Sequence, residues 1–349
     1  MRFVRRAAAA SMVVAAAAAG LAAVVAPAAA APARPSVAID VQRDVLYGVA
    51  NGKPLLLDAY VPPDRRDGSL RPAVVMIHGG GFRAGDKASW EPEARRVADK
   101  GWVAFSIAYR LDEPTAFPAA VEDAQAAVRW ARANAAAYGV DPARIGAVGE
   151  SAGGTLAAML ATLGEGSLEE GSRVRAAVAW SAPLDLTRLA RERGDGWAAP
   201  LLGCALSECP ETYAAASPIT HVDRTDAPTF LITSEEDPVV PATQSYDMAI
   251  RLEEEGVRVR LTRLRGERHG LELRDEMWGA TLNFLDTHLE LDPRRAYGTA
   301  AFVGTVLVTA ALAGLVFVRH SRRGAAGGPH RSGHRPCRQG AETVTGTRG

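Results

Sequence analysis

The sequence predicts an α/β fold: a mainly parallel sheet with helices on both faces. Three observations carry this. Short, wholly apolar runs recur along the chain, too short for helices and lacking the in–out alternation of a sheet with one wet face. Segments of helical composition separate them. Gly, Pro and Asp punctuate the junctions. Regular strand–helix alternation with apolar strands implies a parallel sheet buried on both sides.

The elements follow in order between about residues 37 and 291. Residues 55–61 alternate and end in "PPDRRDG", a strand and a turn. Residues 73–77 (AVVMI) make a strand, 91–100 a helix and 103–108 (VAFSIA) a strand. An Ala-rich helix spans 118–138 and closes in "GVDP". Residues 145–148 form a strand that runs into "GESAGG", with a helix from 155 to 163 behind it. Strands follow at 176–180 and 229–233, a helix at 244–255 ended by Gly256, a strand at 257–261 and a last helix at 275–289. The one interruption is 184–217, an expected cap insertion between two strands. Ligand sites in such sheets form beyond the carboxyl ends of the strands.

The composition, 48% apolar and 23% charged, is that of a globular chain. Forty basic residues balance forty acidic ones, so no nucleic-acid partner is expected. The two ends depart from this average. "MRFVRR", an Ala/Val run and "PAAAAPA" make a secretory signal peptide over residues 1–33, with cleavage expected after Ala30 or Ala33. Residues 299–318 hold twenty residues without a charge, enough to span roughly 30 Å of hydrocarbon at about 1.5 Å per residue. The tail 319–349 carries seven arginines against the single acid Glu342, which places it in the cytoplasm by the positive-inside tendency. The expected organisation is therefore a leader (1–33), an exported domain (34–291), a linker (292–298), a membrane helix (299–318) and a basic tail. In the exported part Cys204 and Cys209 suit a disulfide stapling a short loop. No metal site is expected of them, because no further Cys or His spacing accompanies the pair.

Within "GESAGG" the pattern G-x-S-x-G sets Ser151 where a strand turns abruptly into a helix. A serine hydroxyl becomes a nucleophile only with a base to take its proton and a group to orient that base. It also needs donors aimed at the oxygen that turns negative. Each has a candidate after a predicted strand. "HGGGF" (78–82) offers the backbone N–H groups of Gly80 and Gly81, to be joined by that of Ala152. His78 precedes the glycines and is expected to structure the loop. Asp237 in "SEEDPVVP" is the acid candidate, its Asx-Pro context fixing a turn, with Glu235 and Glu236 as competing neighbours. His269 in "GERHGL" is the base candidate; His221 is the rival, but only His269 completes the order Ser, Asp, His.

At these residues the chain resembles the hormone-sensitive-lipase-like esterases of the α/β-hydrolase fold. The signatures are "HGGGFRAGD", "VRWARANAAAYGVDPARIGAVGESAGG", "SPITHV" and "DPVVP", and the resemblance covers roughly 46–289. It implies carboxylic-ester hydrolysis through an acyl-enzyme with no metal or cofactor. It makes Ser151 the nucleophile, Asp237 the acid, His269 the base, and Gly80, Gly81 and Ala152 the oxyanion hole. Lipases of that group often carry a long N-terminal helical cap. Here only a strand-rich stretch of about 40 residues precedes "HGGG", so the cap is small, and short or small esters are expected, free or linked to polysaccharide. Two other readings stand beside this one: an amidase, peptidase or arylformamidase using the same triad, and a non-catalytic binding module.

Overall fold

The computed structural model of the chain describes residues 38–290, apart from 64–67, 112–115 and 197. The expected leader, linker, membrane helix and basic tail lie outside the described residues. Among the described residues no helix is long and apolar enough to cross a membrane.

Eight strands form one sheet in the order β1-β2-β4-β3-β5-β6-β7-β8. They are β1 (Asp40–Ala50), β2 (Lys53–Val61), β3 (Arg71–Ile77), β4 (Val103–Ile107), β5 (Val140–Glu150), β6 (Ala177–Trp180), β7 (Thr229–Ser234) and β8 (Val259–Leu264). The pairs from β4 to β8 are all parallel, whereas β1/β2 and β2/β4 are antiparallel. The sheet is the mainly parallel one the sequence predicts, with an antiparallel ribbon added at one edge. That ribbon includes β1, for which no separate strand was expected. Its residues are mostly exposed or half-buried, and only Tyr47 is fully covered, so it carries no apolar run.

The helices are α1 (Glu91–Asp99), α2 (Ala116–Ala133), α3 (Ala152–Thr162), α4 (Leu186–Arg193), α5 (Ala199–Leu202), α6 (Pro210–Ala215), α7 (Thr243–Glu254) and α8 (Arg274–Leu289). Side-chain parity sorts the layers. Ala73, Val75 and Ile77 of β3 face α2 and α3, while Val74 and Met76 face α1 and α8. The second layer is locked by Trp90, Trp180 and Trp278, whose rings meet at 5.6–6.2 Å. The segment 184–217 contributes α4, α5 and α6, and a disulfide joins Cys204 to Cys209 inside it.

The start of α2 agrees with expectation, and two other boundaries differ from it for local reasons. Phe117 departs from helical dihedrals (φ −103°, ψ 132°), so the regular part of α2 begins at Pro118, a preferred first position. That helix ends at Ala133; residues Ala135–Tyr138 tighten into a 3₁₀ turn closed by left-handed Gly139. At the end of α7, Gly256 takes φ 75° and the Val257 N–H returns to the Leu252 carbonyl at 2.9 Å. Val257 therefore belongs to the helix cap, and β8 starts at Val259 rather than 257.

Candidate active site

Strand β5 ends at Glu150 and α3 begins at Ala152, leaving Ser151 alone at the bend. Its backbone sits at φ 51°, ψ −121°, a conformation held only where the surroundings over-determine it. Here the Ser151 N–H donates to the Trp180 carbonyl of β6 at 2.8 Å, and its own carbonyl accepts from the Thr155 N–H at 3.0 Å. The flanking glycines are needed for space. A Cβ on Gly149 would run into the Gly153 carbonyl across the bend, and one on Gly153 into the Ile77 carbonyl of β3. All eleven residues of α3 are buried, so the turn rests on a helix with no freedom to shift.

The loops after β5, β7 and β8 converge. Ser151 Oγ lies 2.9 Å from His269 Nε2. His269 Nδ1 lies 2.8 and 3.0 Å from the two carboxylate oxygens of Asp237. With the Nδ1–H donated to Asp237, the Nε2 lone pair faces the serine hydroxyl. Asp237 is itself fixed by accepting the N–H groups of Val239 and Val240, both at 2.9 Å, which is the Asx turn its sequence context predicts. Burial works to raise its carboxyl pKa, but the hydrogen bonds from His269, Val240 and Val239 outweigh it, and the net position is below the ordinary value. Glu235 and Glu236 are exposed and take no part in this line. His269 is held from behind, its N–H donating to the Glu272 carboxylate at 2.9 Å.

The glycine loop after β3 forms one wall. Gly80 adopts φ 107° and turns its carbonyl away to accept from the N–H groups of Arg83 and Ala84, both at 3.1 Å. Gly80, Gly81 and Ala152 line, together with Ser151, a half-open cavity of about 520 Å³ bordered on its other sides by Phe82, Pro183, Leu189 and Val240, with the exposed Arg83, Arg193 and Val239 at its edge. Ala152 opens α3, so its N–H has no intrahelical acceptor. His78 stands apart from this cavity. Its buried ring stacks on Tyr109 at 4.4 Å and its Nδ1 meets the Gly79 carbonyl at 2.7 Å. Desolvation lowers its pKa. His221 is engaged elsewhere, its Nε2 2.7 Å from the Ala215 carbonyl.

One residue of the site was not singled out from the sequence. Glu150, the variable position of G-x-S-x-G, accepts the Gly79 N–H at 2.6 Å through Oε1. Its other oxygen lies so close to Gly270 that a Cβ there would collide with it. Burial raises its pKa against the pull of the Gly79 N–H and of His269 and Arg274. The carboxyl is wedged between the glycine loop, which it holds by that hydrogen bond, and the histidine loop, against which it packs. The signal was available: a charged residue directly before the bend, at the end of the uncharged run 145–149.

Comparison with known proteins gives a family and a fold. The BD-FAE family model matches residues 57–252. Esterase LipQ of Mycobacterium tuberculosis is 32% identical over 225 residues, covering 61% of this chain and 53% of that protein. The chain thus spans about half the length of the curated relatives it matches first. Among solved structures, the propionate-bound Est2 esterase of Thermogutta terrifontis superposes with a TM-score of 0.59 at 27% identity, covering 72% of this chain and 94% of that one. An acetyl ester-xyloside bifunctional hydrolase from Caldicellulosiruptor lactoaceticus gives a TM-score of 0.60 at 27% identity, covering 68% and 89%. The α/β-hydrolase fold of these esterases is the fold described here.

Proposed function

This chain belongs to the BD-FAE family, and on that premise we propose that it is a serine carboxylesterase acting on short-chain or small carboxylic esters through an acyl-enzyme. One observation carries the reading above the others: the unbroken line from Ser151 Oγ through His269 to Asp237, opening on a cavity lined by Gly80, Gly81 and Ala152. An ester enters with its carbonyl oxygen toward those three N–H groups. Ser151 Oγ bonds to the carbonyl carbon while its proton passes to His269 Nε2. The resulting oxyanion is stabilised by the backbone donors, each worth about 3–4 kcal/mol in comparable sites. The C–O bond to the alcohol then breaks, and the leaving oxygen takes the proton from His269. Water repeats the sequence on the acyl-enzyme: its proton goes to His269, the acyl–Oγ bond breaks, the acid leaves and Ser151 recovers its proton.

The propionate bound in the Thermogutta relative supports short acyl groups, and the acetyl ester-xyloside hydrolase directs attention to acetylated sugars as the alcohol part. In the same reading the domain is exported and held at the outer face of the membrane by residues 299–318. The charge and apolar pattern of both ends supports this, as does a disulfide in the domain, a feature of oxidising compartments. Loss of the activity from intact cells on protease treatment, with the activity sedimenting with membranes, checks that placement.

The chemistry is tested with the full chain on p-nitrophenyl acetate, butyrate and octanoate, beside Ser151→Ala. Activity should fall with acyl length and drop by about 10⁴-fold or more in the mutant. Full activity in Ser151→Ala removes the acyl-enzyme reading. Turnover of matched amides in preference to esters moves the chain to the amidase class.

A further inference from the structure

Behind the ester cavity lies a second, nearly filled one. It has a volume of about 10 Å³, at the threshold for one water molecule, and Phe82 lines both. The inner space is walled by Phe117 and Val121 of α2, Leu156 and Met159 of α3, Leu186 of α4 and Leu201 of α5. Its one polar lining residue, Thr155, donates its hydroxyl to the Pro183 carbonyl at 2.7 Å and is spent there. The space is therefore fit for methylene groups and not for sugar hydroxyls.

The chemistry fixes which half of the ester faces this way. The leaving alcohol must take its proton from His269 Nε2, so it departs on the histidine side. The acyl group then points away from that side. None of the inner lining comes from the histidine loop or the Asp237 loop; all of it belongs to α2, α3 and the segment around α4 to α6, plus Phe82 itself. The inner space is the continuation of the acyl side.

Phe82 is held in the partition by more than contact. It is a non-glycine residue at φ 61° and is only 5% exposed. Its ring meets Tyr109 edge-on at 6.5 Å, and Tyr109 is pinned by its stack on His78 and by donating its hydroxyl to the His78 carbonyl at 2.9 Å. A ring so braced does not swing aside to admit a chain.

Resting on the esterase reading above, we propose that Phe82 sets the acyl length: its ring closes the ester cavity against an apolar inner pocket, and this confines the enzyme to short acyl groups. The test compares kcat/KM of the full chain on p-nitrophenyl acetate, butyrate and hexanoate, for wild type, Phe82→Ala and Phe82→Leu. Opening the partition gives two further methylenes an apolar berth, each favoured about fourfold, so the hexanoate-to-butyrate ratio should rise about fifteenfold in Phe82→Ala and less in Phe82→Leu. Adding Ala216→Phe, which refills the inner pocket, should return the ratio toward the wild-type value. A folded Phe82→Ala with an unchanged ratio overturns the proposal. If Phe82→Ala does not fold, an unchanged ratio in Phe82→Leu does the same. Wild-type silence on every ester would instead overturn the esterase reading itself.

Discussion

The cavity has a floor and a roof, and they are built differently. The floor is the set of loops at the carboxyl ends of β3, β5, β7 and β8, where backbone geometry fixes almost every position. Ser151 sits on a wholly buried helix, and Gly149 and Gly153 admit no other residue. Asp237 is oriented by two backbone N–H groups. The roof is the segment around α4 to α6, helices of eight, four and six residues. Side chains fasten it. The buried Gln244 accepts the N–H groups of Leu184 and Asp185 at 2.9 and 2.7 Å, Ser217 accepts that of Leu186 at 2.8 Å, and the disulfide closes its tip. The floor is set by the backbone, and the cover over it is a segment held by replaceable ties.

The sharpest way to break that comparison is at the floor. Asp237→Asn keeps the shape of the turn but presents an amide to His269, which can hold the ring in the wrong tautomer. A loss of about 10⁴-fold in kcat with KM nearly unchanged is expected. A stability signature accompanies it. The Asp237 carboxyl is held below its ordinary value of 3.8, so its contribution to folding is complete above that pH and fades as pH falls through the lower folded-state value. The melting temperatures of wild type and Asp237→Asn should differ at pH 7 and converge below about pH 3.8. Parallel curves across that range would mean the carboxylate has no folded-state partner of consequence.

Glu150 gives the next largest effect. Its carboxyl accepts the Gly79 N–H of the glycine loop and packs closely against Gly270 of the histidine loop. Glu150→Ala removes the acceptor for the Gly79 N–H and leaves space beside Gly270. A displacement of the donors of order 1 Å lowers kcat by about 10²-fold at most, with KM little changed. Glu150→Gln retains an oxygen for Gly79 and should recover most of the rate. Equal losses in both variants would show that charge, not the tie, is what the site needs from Glu150.

Much of the floor was legible in the sequence because glycines and turn residues write backbone requirements directly into the chain. "HGGGF", "GESAGG" and "EDPVVP" each name a bend that few other residues allow, and the order Ser, Asp, His chose His269 over His221. What stayed hidden depends on packing between distant segments. The wedge made by Glu150 exists only because Gly79 and Gly270, far apart in the chain, meet at it. The edge strand β1 lacks an apolar run because one of its faces is wet. Its signal was the Asn51-Gly52 pair, both at positive φ, that turns it into β2. The start of β8 was misplaced because Val257 is apolar for the sake of the α7 cap, not of the sheet. The inner pocket was invisible, since its lining comes from four helices and a loop.

At the roof the expected effect is smallest and of another kind. Cys204 and Cys209 are five residues apart, so the loop they close is short, and on the chain-entropy account the bond stabilises by about 2 kcal/mol. The Tyr213 hydroxyl near the Asp195 carboxylate and the Cys204 carbonyl, at 3.1 and 3.2 Å, holds the same tip without it. Replacing both cysteines by serine, or reducing the wild type, should therefore loosen the tip while Ser151, His269 and Asp237 stay in line. The result should be a two- to threefold change in KM with kcat retained, and faster amide exchange confined to the roof, because local opening tracks the ties that are cut. A fall in kcat as large as that of Glu150→Ala would erase the distinction, since it would make the roof a part of the floor's geometry rather than a cover laid over it.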